Sequence, residues 1–64
     1  MSFQVTVPNM ACSACSDTIT KAIQTIDPSA KVNADPKTKL VSVDTLASET
    51  EIRQAITTAG YTIA

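Results

Sequence analysis

Phe3-Gln4-Val5-Thr6-Val7 alternates apolar and polar residues and is rich in β-branched side chains, which predicts a half-buried strand. Pro8-Asn9 ends it, because proline cannot donate to a ladder and asparagine favours turns. From Ile19 the period changes. Ile19, Ala22, Ile23 and Ile26 recur at i, i+3, i+4, i+7, one face of a helix, and extending that face back one turn reaches Cys15. Ser13 is the expected N-cap and Asp17 the expected acidic residue near the helix start. Asp27-Pro28-Ser29 is the stop, since the residue before a proline is pushed out of helical space.

Ala30-Lys31-Val32-Asn33-Ala34 alternates again, Asp35-Pro36-Lys37-Thr38 carries turn chemistry, and Lys39-Leu40-Val41-Ser42-Val43 alternates with Val41 and Val43 inward; together they predict a hairpin. Ser48-Glu49-Thr50-Glu51 reads as a capping box opening a second helix. Its stripe is Ile52, Ala55, Ile56 and Ala59, and Gly60 stands where a left-handed C-terminal residue is wanted. Tyr61-Thr62-Ile63 reads as a last short strand. The order β-α-β-β-α-β predicts an α+β, ferredoxin-like arrangement, with both helices on one face of a four-stranded antiparallel sheet. The halves echo each other: the helix stripes match from Ile19 to Ile52 and the strands from Val5 to Val41. The first half holds three more residues between strand and helix.

Those extra residues fall in Met10-Ala11-Cys12-Ser13-Ala14-Cys15, which holds both cysteines of the chain. A chain of 64 residues is expected to be one domain, residues 1–64, and to bury only about 60% of the surface its unfolded form exposes. Its core must come from Val, Ile, Leu and Ala, because there is one Phe, one Tyr and no Trp. The formal net charge is -1 and the basic residues Lys21, Lys31, Lys37, Lys39 and Arg53 are scattered, so no stripe for nucleic acid forms. Apolar runs are far shorter than the ~20 residues a spanning helix needs, and Met1-Ser2-Phe3 does not open a signal sequence. A cytoplasmic, reducing location without membrane insertion is therefore expected, where a Cys-x-x-Cys pair is more often catalytic or metal-binding than structural.

Thiolates are soft donors, and two of them two residues apart can close on one soft ion. A free Cys is only a few per cent thiolate at neutral pH, so a helix N-terminus at Cys15 and the displacement of protons by metal must supply the rest. Counting ligands narrows the metal. Structural zinc is four-coordinate, whereas this chain offers two cysteines and no histidine; Cu(I) is satisfied by two thiolates and stays open to attack. That openness suits handing metal over. A thiol-disulfide redox module, or a carrier of Hg or Zn, remains the alternative.

Met10-Ala11-Cys12-Ser13-Ala14-Cys15 after a first strand, the β-α-β-β-α-β order and the closing Gly60-Tyr61 resemble the heavy-metal-associated domain family, and within it the small soluble copper chaperones of bacteria and cyanobacteria. The resemblance covers the whole chain. It implies Cu(I) held by Cys12 and Cys15, Met10 as a buried prop for the loop, and Tyr61 beside the site. It also implies a carrier and not an enzyme, with no catalytic residues. Its partners would be a copper-transporting P-type ATPase and that pump's own metal-binding domain, reached through an intermediate in which both proteins' thiolates share the ion. Ala11, Ser13, Ala14 and Ser16 flank the cysteines with small side chains that would let a partner sulfur approach. Ala11, where zinc-preferring relatives often place an acidic residue, speaks mildly against zinc. Two exposed two-coordinate sites could also share copper, so a copper-bridged homodimer is expected.

Overall fold

A computed structural model describes residues 2–64. Strand β1 (Ser2–Thr6), helix α1 (Ser13–Ile26), strands β2 (Lys31–Asp35) and β3 (Leu40–Asp44), and helix α2 (Glu49–Thr58) follow in that order. The strands form an antiparallel sheet with β3 in the centre, in the order β1-β3-β2. The register follows the sequence alternation: Val5 faces Val41, which faces Ala34, and Phe3 faces Val43, which faces Val32. A two-residue period sends these side chains to one face, where they join Ile19, Ile23, Ile52 and Ile56 in a single core. Both helices therefore cover the same face. Gln4, Ser42 and Asn33, in register with one another, belong to the opposite face, where the Gln4 amide donates to Ser42 Oγ at 3.2 Å.

These four of the five helix isoleucines are fully buried, and removing each from water is worth about 2–3 kcal/mol. Ile26, the last member of the first stripe, is not in the core. It lines a groove between the helices with Ala22, Ala55 and Ala59, whose small side chains leave it 43% exposed.

Among the described residues the sheet has three strands and not the expected four. The segment after α2 does not build a ladder, and its first two donors are taken elsewhere. Tyr61 N–H closes the end of α2 on Ile56 O at 3.3 Å, and Thr62 N–H goes to the Asn9 side chain at 3.0 Å. Only Ala64 N–H reaches β1, on Thr6 O at 2.9 Å. One bond at the free edge of β1 marks where a fourth strand would lie without making one.

The helix ends carry further corrections and confirmations. Cys12, not Ser13, is the N-cap of α1; no side chain caps that end, and its first turn contains no acidic residue, so Asp17 lies too far along. Ser48 caps α2 as expected, its hydroxyl accepting from Glu51 N–H at 3.2 Å. Gly60, at φ 100°, completes a Schellman end: its N–H meets Thr57 O at 3.0 Å while Tyr61 N–H meets Ile56 O. An L side chain is strained at that φ, so glycine is what lets Tyr61 turn back over the core.

Asp27 does more than stop α1. One carboxylate oxygen accepts from Ser29 N–H and Oγ, and the other accepts from Thr45 Oγ1 at 2.6 Å and Leu46 N–H at 3.3 Å. Its pKa falls to about 2 from an ordinary 3.8, chiefly through the Thr45 hydroxyl and then Ser29. A lowered carboxyl pKa stabilises the fold above the unfolded value and loses that contribution as pH falls through the folded one. Asp27→Asn is thus expected to lower the Tm at pH 7, with the gap to wild type closing between about pH 4 and about pH 2. Calorimetry across that window checks it; a gap constant with pH would remove the ionic role of Asp27.

Candidate metal site

The cysteine loop hangs between two buried plugs. Val7 is fully buried, Pro8 and Asn9 are exposed, and Met10 is fully buried again; its N–H closes a tight turn on Val7 O at 3.0 Å. Ala11, Cys12, Ser13 and Ala14 then run exposed to solvent, Cys15 is half-buried and Ser16 is buried. The plugs touch, since Ser16 Oγ donates to Met10 Sδ at 3.5 Å. Ser16 was expected at the rim for a partner to approach; burial and this contact place it beneath the loop instead. The other three small residues, Ala11, Ser13 and Ala14, are at the surface.

Cys12 Sγ and Cys15 Sγ lie 3.5 Å apart, and both thiols are free. The helix start brings them together: Cys12 caps α1, and its carbonyl accepts from Cys15 N–H at 3.0 Å and Ser16 N–H at 3.2 Å, which folds the third helical residue back beside the cap. Taking ~2.3 Å for a metal–thiolate bond, two sulfurs on one ion can be at most ~4.6 Å apart. The pair needs to open by about 1 Å or less, which an exposed cap residue can absorb. Among the described residues no cluster of three or more His, Cys, Asp or Glu exists, so this arrangement offers an ion two sulfurs and an open side. Such a donor set suits a soft ion of low coordination number.

The surroundings favour the thiolate at Cys15. Its pKa is pulled down to about 7, first by a hydrogen bond from the Tyr61 hydroxyl, then by Ala11 N–H and the Cys12 side chain, against an upward push from burial. The same contact pushes the Tyr61 hydroxyl pKa up. The glycine turn that ends α2 thus places the Tyr61 ring near the Cys15 side chain. These contacts favour the Cys15 thiolate over that of an ordinary thiol, and the uncapped helix end adds favourable positive potential. In metal-free, reduced protein, alkylation of Cys15 should rise with a midpoint near pH 7, and Tyr61→Phe should move that midpoint up toward 9. Site-resolved mass spectrometry measures both; identical midpoints would mean that the hydroxyl does not act on the sulfur.

Two supporting residues gave no signal as such in the sequence. Lys39 Nζ donates to Met10 O at 2.7 Å across 29 positions, and Asn9, legible only as a turn former, ties the loop to Thr62. Neither partnership follows from local spacing.

A small α+β fold with two free, neighbouring thiols at an exposed strand-to-helix junction is the arrangement of a class of small metal-binding domains. Within that class, the chain belongs to the heavy-metal-associated domain family, which matches residues 4–62. It is similar to the copper chaperone Atx1 from Synechocystis PCC6803 in a trimeric form, at 40% identity over 97% of this chain and 98% of that one, with a TM-score of 0.93. A gold binding protein is 38% identical over 94% and 92% of the two chains, with a TM-score of 0.89. The cyanobacterial copper metallochaperone ScAtx1 is 39% identical over the full length of both, with a TM-score of 0.82. No curated protein sequence matches the chain. Among the described residues, no helix is long and apolar enough to cross a membrane.

Proposed function

We propose that this protein is a Cu(I) carrier of the cytoplasm, which takes up one ion between Cys12 and Cys15 and delivers it by ligand exchange. The observation that supports this best is the pair of free sulfurs 3.5 Å apart on a loop whose outer residues are all exposed. A resident structural ion is normally enclosed by four ligands; a cargo ion held by two can be attacked by a third. The likeness to copper chaperones supports copper as the cargo, and the likeness to a gold binding protein fits a site that selects softness and low coordination. Hg and Zn on the same scaffold are the competitors in that selection.

The receiving partner is a copper-transporting P-type ATPase or its metal-binding domain. A thiolate of the partner enters over Ala11, Ser13 and Ala14 and makes the ion three-coordinate; Cys12, the more exposed sulfur, leaves first. Cys15 follows when the partner's second thiolate arrives. No covalent substrate is made or broken, so the protein is not an enzyme. The same exchange with a second copy gives a copper-bridged homodimer, which sizing with and without copper detects.

The test is transfer itself. Reduced protein loaded with one equivalent of Cu(I) is mixed with excess dithiol acceptor, and release is followed against acceptor concentration. Ligand exchange predicts a rate that rises with the acceptor. A rate independent of it, or a protein that cycles between dithiol and disulfide without retaining copper, would overturn the carrier reading in favour of the redox module.

A further inference from the structure

Among the described residues, Lys39 is the only non-glycine residue at positive φ, at 65°. Such a backbone is uncommon outside glycine and asparagine, and the residue that adopts it bonds both its own hairpin and the turn before the cysteine loop. Its N–H closes the hairpin on Asp35 O at 2.8 Å, and its carbonyl accepts from Val7 N–H at 2.8 Å. Its ammonium donates to Met10 O at 2.7 Å. The hairpin turn thus grips both ends of the Val7–Met10 turn from which the metal loop springs. The other cations, Lys21, Lys31, Lys37 and Arg53, are exposed, while Lys39 is half-buried.

The chemistry of the site gives that charge a use. Two thiolates on a monovalent ion leave a net charge of about -1, whereas the same two on a divalent ion leave about zero. Met10 and Cys12 are two residues apart, so their Cα atoms are separated by at most ~7.6 Å. A half-buried ammonium fixed on the Met10 carbonyl thus sits at the base of the loop that carries both sulfurs, and it is screened less than an exposed one. We propose that Lys39 sets the charge preference of the metal site, stabilising a bound monovalent ion over a divalent one while anchoring the loop that carries it. This rests on the carrier reading above, and it concerns a residue that the cysteine motif does not contain.

The experiment compares Cu(I) and Hg(II) affinities, each by competition with a chelator or thiol, in wild type, Lys39→Met, Lys39→Gln, Lys39→Arg and Lys37→Met. Loss of the ammonium should lower Cu(I) affinity about fivefold or more and Hg(II) affinity by clearly less. The Cu(I) loss should shrink as salt is raised. Lys39→Arg should stay within about twofold of wild type for Cu(I), and Lys37→Met should change neither ion, since an exposed charge is heavily screened. Equal losses for both ions would reduce Lys39 to a loop anchor and overturn the proposal, as would no loss in either neutral variant. Should Lys39→Met fail to fold, Lys39→Gln provides the same comparison. If wild type itself does not retain Cu(I), the carrier reading has failed; if wild type retains it and the neutral variants match it, only the role of Lys39 has failed.

Discussion

Cys12→Ser and Cys15→Ser should each lose at least about 100-fold in Cu(I) affinity, at or beyond the upper end of the 10- to 100-fold loss that follows removal of a supporting contact. Serine nearly preserves side-chain volume but is a hard, neutral donor that stays protonated, so a two-sulfur site becomes a one-sulfur site. The fold should not notice. Cys12 is exposed and makes no side-chain cap bond to α1, and Cys15 is half-buried beside Tyr61, whose hydroxyl can bond an oxygen as well as a sulfur. Chelator competition with reduced protein, alongside far-UV circular dichroism, makes the measurement. Wild-type retention of Cu(I) in either single variant would mean that the metal is not shared by these two sulfurs.

The second large effect concerns Met10 and falls on stability. Met10 is fully buried within the core, and its sulfur accepts from Ser16 Oγ at 3.5 Å. A thioether buried and engaged in this way is expected to fill the space under the loop. Met10→Ala should cost about 2–5 kcal/mol through lost burial and the cavity left behind. That is a large share of what a domain this small can have. Met10→Leu keeps the volume and should cost less than about 1.5 kcal/mol, with Cu(I) affinity within a few-fold of wild type. Urea denaturation and metal competition on the two variants separate the roles: a leucine variant that is stable but loses copper would make Met10 a ligand.

Much of this molecule is local enough to be legible along the chain. The alternation around Val5, Val41 and Val43 and the stripes through Ile19, Ile23, Ile52 and Ile56 gave the elements and the core, because burial of one face imposes its period on the residues themselves. The Ser48 cap and the Gly60 turn were legible for a similar reason: each is made within one helical turn. Ile26 and Ser16 misled. Ile26 has the right spacing but only small neighbours across the groove, and Ser16 is small and polar like the rim residues yet finds a buried partner in Met10. The N-cap lies one residue earlier than expected, at Cys12, which makes no side-chain cap bond.

What the order of residues determined is the scaffold and the placing of two soft donors where a strand gives way to a helix, since hydrophobic period, turn chemistry and the spacing of Cys12 from Cys15 act over a few residues. Only the folded arrangement decided which distant groups serve that site. It brought the Tyr61 hydroxyl to Cys15, set the Lys39 ammonium on Met10, and joined Asp27 to Thr45. It also diverted the donors of Tyr61 and Thr62 to a helix end and to Asn9, and the described residues form a sheet of three strands. Each of these is a hydrogen bond across many positions, fixed when helices and sheet close on their shared core, and no period along the chain encodes it.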